Sequence, residues 1–159
     1  MSDTSPNQPG VVPEPLRAYN FMVTIAGHAR MYFTEVSGLG VRVEPILYRE
    51  GGLRSVVRSF AGQVSYPPVT LRFGVSMDAD LFGWLMSAVE GRTVRNEVEI
   101  SLLDNTGNVE AVGWVLNRAW PMEWHGAPLR ALDADLAIDT LVLAHEGITR
   151  RPAQGLSGV

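Results

Sequence analysis

The sequence predicts a mainly β domain, an antiparallel barrel or sandwich closed by one helix. Three observations carry this. Short segments that alternate apolar and polar residues recur along most of the chain. Turn-forming clusters, such as Gly51-Gly52 and Asp104-Asn105-Thr106-Gly107-Asn108, separate those segments. A single segment ending near Gly91 carries helical periodicity. At 159 residues the chain fits one domain with a tail at each end, and a domain of that length can bury a self-sufficient core.

The elements follow in chain order. Residues 1–16 hold Pro6, Pro9, Pro13 and Pro15 and read as a disordered or docking arm. They have neither a basic n-region nor an apolar h-region, so they are not read as a signal peptide. Tyr19–Ala26 and Ala29–Val36 are strand patterns on either side of Gly27-His28, which predicts a hairpin. Val41–Arg49 is a further strand, with Pro45 confining it to an edge or a bulge. From Glu50 to about Tyr66 the pattern predicts a loop. Val69–Val75 turns Val69, Leu71 and Phe73 to one face. The helix that follows has Ser76 or Asp78 as its cap, and Leu81, Trp84, Leu85, Ala88 and Val89 form its apolar stripe. In Glu97–Leu103, Val98, Ile100 and Leu102 point inward while Glu97, Glu99 and Ser101 point outward. Val109–Trp120 is the return strand of that hairpin, ending at Trp120-Pro121. Leu136–His145 is the last strand, and residues 149–159 read as a tail.

Composition excludes several function classes. The net charge of −4 argues against nucleic acid as the main partner, because phosphate binding needs a cationic face. The chain has no cysteine, which removes disulfides, thiolate metal sites and a cysteine nucleophile. All of its cations are arginine, which suits planar contacts with carboxylates across interfaces. No run approaches the ~18 apolar residues of a membrane-spanning helix. His28, His125 and His145 lie in separate segments without metal-ligand spacing. Gly38-Leu39-Gly40 has Val43 where a dinucleotide motif needs glycine, and a strand follows it. Asp78 and Asp80 are accounted for by the helix N-terminus without a metal. No convergent set of reactive groups is present, so the chain reads as a non-enzyme without a cofactor or metal. Trp114, Trp120 and Trp124 read as core and interface packing; stacking on a sugar is the alternative.

Four strings in order identify a resemblance: FTEVSGLGVRVEPILYREGG from Phe33, VTLRFGVSMDADLFGW from Val69, ISLLDNTGNVEAVGWVLNRAWPMEWHG from Ile100, and LAIDTLVLAHEGI from Leu136. Over residues 17–148 the chain resembles the inner tail-tube proteins of contractile phage tails and phage-tail-like contractile injection systems. The resemblance implies a small antiparallel β-barrel of two packed sheets, with one flanking α-helix and an extended hairpin loop. It implies a structural subunit that assembles as stacked hexameric rings around a channel for DNA or protein cargo. The implied partners are other copies of the chain, a sheath protein, baseplate or spike proteins and the cargo in the lumen, with no membrane. Assembly in the bacterial cytoplasm and a place in a virion or phage-tail-like particle, released by lysis, follow from the same likeness.

The resemblance also assigns residues. Arg49, Glu50, Gly51, Gly52, Arg54, Arg58 and Tyr66 fall in the hairpin that reaches the adjacent ring, with Arg72 close by. Glu97, Glu99 and Ser101 are candidates for the lumen wall; an outward face toward the sheath is the rival. Two departures from the family pattern stand out, Phe60-Ala61-Gly62 before Ser65-Tyr66-Pro67-Pro68, and Phe73. They make a specialised tube-initiating ring at the baseplate end the alternative within the family. A carbohydrate-binding β-domain is the alternative from another class.

Overall fold

The computed structural model describes residues 16–25, 28–31, 33–49, 51–52, 57–75, 79–107, 109–131 and 135–152, with backbone only at 28–31, 79 and 152. Among them the strands are β1 (Phe21–Ile25), β2 (His28–Met31), β3 (Phe33–Ser37), β4 (Arg42–Arg49), β5 (Val57–Ser65) and β6 (Val69–Gly74). The helix α1 (Ala79–Val89) follows, and then β7 (Asn96–Leu103), β8 (Glu110–His125), β9 (Ile138–Ala144) and β10 (Gly147–Pro152). All pairings are antiparallel.

Two sheets share one strand. The first half of β8 lies between β7 and β10, and β7 continues through β1 to β2. Its second half, Trp120–His125, pairs with β9, which leads through β6 to β3. Arg118 marks the transfer; its φ of 52° is the one positive value on a non-glycine among the described residues. Glu146 supports the bend, accepting from Arg118 Nε at 2.7 Å and pairing with Arg95 at 3.3 Å. Beyond it, Pro121 sits beside a register shift on what is now an edge strand, where its missing N–H is tolerated.

The expected barrel is not closed. The sheets share β8, and on the other side β2 in the first sheet ends at Met31 where β3 in the second begins at Phe33. Chain that passes from sheet to sheet makes the corners covalently, so the sheets stack without a continuous hydrogen-bonded ring. The core fills the gap: Val23, Ile25, Val98, Ile100, Leu116 and Ala119 from the first sheet meet Val69, Leu71, Phe73, Leu141 and Leu143 from the second. The inward alternation expected for β6 is observed, with Val69 and Leu71 fully buried.

Helix α1 packs against β8 and closes the core with Leu81 and Trp84. Trp84 Nε1 donates to the Val94 carbonyl at 2.7 Å, so the indole is buried without an orphan donor. The helix ends at Gly91, whose φ of 78° lets Arg92 N–H bond back to the Ser87 carbonyl and Gly91 N–H to the Ala88 carbonyl. Leu85 and Ala88 are half-buried, but Val89 is 68% exposed and does not belong to the packing stripe. It sits at the last helical position, one residue before the chain turns away. The caps expected at Ser76 and Asp78 lie outside the described residues.

Four further expectations change. The segment read as one strand over Ala29–Val36 is divided between β2 and β3 at the sheet corner. The loop expected to reach Tyr66 contains β5, which pairs along β4 with a register shift between Val43 and Pro45. That shift sets Gly62 and Gln63 of β5 opposite Glu44 alone, so the extra residue is on β5, and Pro45 lies on an edge strand, where its missing N–H is tolerated. The return strand continues past Trp120 to His125, and the tail expected from 149 gives its first four residues to β10. Ile148 of β10 packs against the core, and Thr149 and Arg151 make the side-chain contacts that a solvated tail would lack.

Candidate functional site

Hairpin β4–β5 stands apart from both sheets. Beyond their own pairing, its strands pack broadly against no other described element. A two-stranded ribbon is at best marginally stable alone in water. This one nevertheless exposes Val43, Ile46, Leu47, Tyr48, Val57, Phe60 and Val64. Directly paired residues share a face, so Ile46 with Phe60 and Tyr48 with Arg58 make one side of the ribbon. Tyr48 and Phe60 meet edge to face at 6.5 Å. Gly62 lets Ile46 lie across the ribbon: a Cβ there would come within 2.8 Å of Ile46 Cγ1 and 2.7 Å of the Glu44 carbonyl oxygen. Contiguous exposed apolar surface of this kind marks an interaction surface.

The base of this arm is clamped. Gly38, with φ 87°, lies where a Cβ would be 2.3 Å from the Pro68 carbonyl oxygen, so only glycine fits. Buried His145 faces the Pro67 carbonyl with Nε2 at 3.1 Å and the Gly147 carbonyl with Nδ1 at 3.0 Å. Tyr66 packs on the same imidazole at 5.5 Å between centroids. The chain entering the arm and the chain leaving it are thus fixed to β6 and to the β9–β10 turn.

Of the hairpin residues picked from sequence, Arg49, Gly51, Gly52 and Arg58 lie on the arm or its tip, while Glu50 and Arg54 lie outside the described residues. Tyr66 belongs to the clamp. Arg72 is in β6 and pairs with Glu35 at 3.2 Å. The exposed apolar residues are the feature that sequence reading missed. Ile46-Leu47-Tyr48 places large apolar groups on both faces of the strand, but nothing in the sequence says that no other described element covers them.

The second candidate surface is the outer face of the first sheet. Glu99 projects there beside Thr24 on β1, Val115 on β8 and Thr149 on β10, and Glu97 lies two residues before it on β7. Ser101 shares this face but is buried at 4% exposure, and its hydroxyl donates to Glu110 at 2.9 Å. It is therefore not part of a solvated stripe as alternation suggested. Arg151 from β10 pairs with Glu99 at 2.9 Å. The register places Arg151 opposite Gly113, and Ser101 opposite the same glycine from the other side. The Glu110 and Arg151 side chains lie over the glycine, so the charge of Glu99 is compensated within the chain and Ser101 is covered.

The tryptophans do not converge. Trp114 packs against the core, Trp120 is half-buried, and Trp124 is 41% exposed beside Phe82 of α1. Among the described residues no group of three or more His, Asp or Glu could hold a metal ion, and no helix is long and apolar enough to cross a membrane.

Residues 17–149 match the family model of the T4-like virus tail tube protein gp19. Among solved structures, the chain is similar to one from the sheath-tube complex of the PVC extracellular contractile injection system in its extended state. The TM-score is 0.80 at 25% identity, covering 89% of this chain and 94% of that one. It is similar to the tube terminating cap of the anti-feeding prophage, with a TM-score of 0.81 at 25% identity over 96% of this chain and 100% of that one. Hcp1 from Flavobacterium johnsoniae shares the fold alone, with a TM-score of 0.52 at 11% identity over 82% and 93% of the two chains. A search of curated proteins found no match. Two sheets sharing a bent strand, one packed helix, an arm with uncovered apolar residues and the match over residues 17–149 agree, and the chain belongs to the family of T4-like virus tail tube proteins, structural components of contractile injection systems.

Proposed function

We propose that this chain is a bulk subunit of the inner tube, assembling as hexameric rings that stack around a channel for DNA or protein cargo. It acts by assembly and not by catalysis. The observation that carries the reading is the β4–β5 arm: it presents apolar residues on a two-stranded ribbon that no other described element covers. Burying that surface on another copy supplies the stabilisation the ribbon lacks. The clamp at Gly38 and His145 holds the arm in one direction before assembly, which lowers the ordering cost of docking. The edges β2, β3 and β10 offer backbone groups for pairing between neighbours within a ring. A sheath outside, by likeness to the sheath-tube complex, and a baseplate at one end complete the machine.

Within the channel, the outer face of the first sheet is the wall in this reading. Glu97 and Glu99 face the lumen, with Ser101 covered beneath their row. Size-exclusion chromatography with light scattering, followed by negative-stain microscopy, tests the proposal. Rings or tubes of the purified chain support it; a monomer at all concentrations, above all one with glycan affinity, overturns it. Pro67-Pro68 at the arm's base favours a second reading, a specialised ring at the baseplate end, since two prolines stiffen the return from the arm. Copy number in isolated particles separates the two: many rings per particle for the bulk tube, one for the terminal layer.

A further inference from the structure

A cleft runs beside α1 on the side away from the arm's base. It has a volume of about 160 Å³ and is lined by Phe73 of β6, Leu81, Phe82 and Leu85 of α1, Trp124 of β8, and Leu141 and Asp139 of β9. Phe82 and Trp124 form an aromatic lip, edge to face at 5.7 Å, yet they remain 50% and 41% exposed. Two large rings that meet edge to face and still lie open to water put an uncovered apolar surface beside this cleft. An apolar cavity of roughly 150 Å³ is the size that takes one benzene ring. The cleft therefore fits a single aromatic side chain.

The arm offers one. Phe60 is 54% exposed and projects from the same face of the ribbon as Ile46, Tyr48 and Arg58. Asp139 provides the matching charge at the cleft: its Oδ1 is held by the Ala127 N–H at 2.8 Å, and it is the one ionisable residue among the described lining residues. Within a subunit neither strand of the arm packs broadly against α1, β8 or β9. We propose that the cleft beside α1 receives Phe60 from the arm of a second copy, with Arg58 of that arm facing Asp139. This rests on the reading that the arm docks between copies, and it names the receiving site. Knob and hole lie on different surfaces, so each copy fills its neighbour and is filled in turn. Such a contact propagates instead of stopping at a dimer.

The chain contains no cysteine, which makes disulfide trapping clean. The double variant Phe60→Cys, Phe82→Cys is assembled, oxidised gently and run on a non-reducing gel, with sedimentation and microscopy of the same sample. A ladder of dimers, trimers and longer species, collapsing on reduction, supports the proposal. Assembled particles without a ladder overturn the cleft as receptor and leave the arm's role intact. A monomer band with no free thiol means that the arm folds onto its own cleft, which also overturns it. Should the double variant not assemble, an equimolar mixture of the two single variants is oxidised instead. Dimers and nothing longer support the proposal, and no mixed dimer overturns it. The distinction from failure of the arm reading comes from a chain with the arm shortened by deletion of residues 47–59. Tubes formed by that chain overturn both readings together.

Discussion

Replacing Ile46, Tyr48 and Phe60 together by serine separates the subunit's own stability from the stability of its contacts. In the isolated subunit these side chains are 58%, 54% and 54% exposed, and they touch little beyond the ribbon itself. Fully burying a large apolar side chain is worth about 1.5–3 kcal/mol, so roughly half of that remains to be gained at each position on assembly. The three positions then contribute about 2–4 kcal/mol per docked arm, a factor of roughly 30 to 1,000 in the association constant. Exposed substitutions usually shift folding stability by about 0.5 kcal/mol or less, so the triple variant keeps a nearly wild-type urea midpoint. The assay is sedimentation across a concentration series, with circular dichroism as the folding control. The expected result is a folded protein whose assembly threshold rises by one and a half to three orders of magnitude, about what those energies require. Assembly at the wild-type threshold would refute the reasoning. A large fall in the urea midpoint would refute it differently, by showing that the arm is packed within its own subunit.

Further outcomes follow from the same geometry. Gly38→Ala forces a Cβ to within 2.3 Å of the Pro68 carbonyl oxygen at a φ of 87°, and a loss of about 2 kcal/mol or more is expected in urea denaturation. Trp84→Ala removes a buried indole and the donor to Val94, which costs roughly 3–5 kcal/mol; Trp84→Phe keeps most of the packing and costs about 1–2 kcal/mol through the unpaired carbonyl. His145→Leu leaves the Pro67 and Gly147 carbonyls without their imidazole partner; about 1–3 kcal/mol is lost, and hydrogen exchange near Tyr66 and Pro67 speeds up. For the polar face, Glu97→Arg alone spares folding and makes assembled tubes retain DNA at low salt, with binding lost as salt rises. Glu99→Arg, by contrast, sets two guanidinium groups where one ion pair stood, and it lowers the melting temperature of the subunit. Tubes of Glu97→Arg that stay free of DNA but lose the sheath would move this face to the outside.

Much of the fold was legible because its physical causes are local. Alternation placed Val69, Leu71 and Phe73 on one face of β6, and they are buried in the core. Asp104 and Gly107 marked the β7–β8 turn, where the Asp104 carboxylate accepts from Thr106 and Gly107 adopts a φ of 76°. Val89 misled because it continues the helical period to the last position, where the chain departs from the core. Ser101 misled for the opposite reason. Alternation says which face a side chain points to, but not whether Glu110 and Arg151 lie over it. The apolar residues of the arm read as an ordinary strand, since sequence carries no sign that a strand's neighbour is its only cover.

The sequence by itself determined the strand-rich class, the single helix, the main turns and the family, because each rests on residues close together or on strings in a fixed order. Tertiary structure alone decided that β8 bends at Arg118 and serves two sheets, that β10 joins beside it, and that the sheets do not close into a barrel. It also decided which apolar residues remain outside. Those outcomes depend on pairings between residues far apart in the chain. Val115 is buried on a face that otherwise carries charge, while Ile46 is exposed on an otherwise similar strand. The physical reason is coverage: burial belongs to what packs over a residue, and a strand's pattern cannot say what that will be.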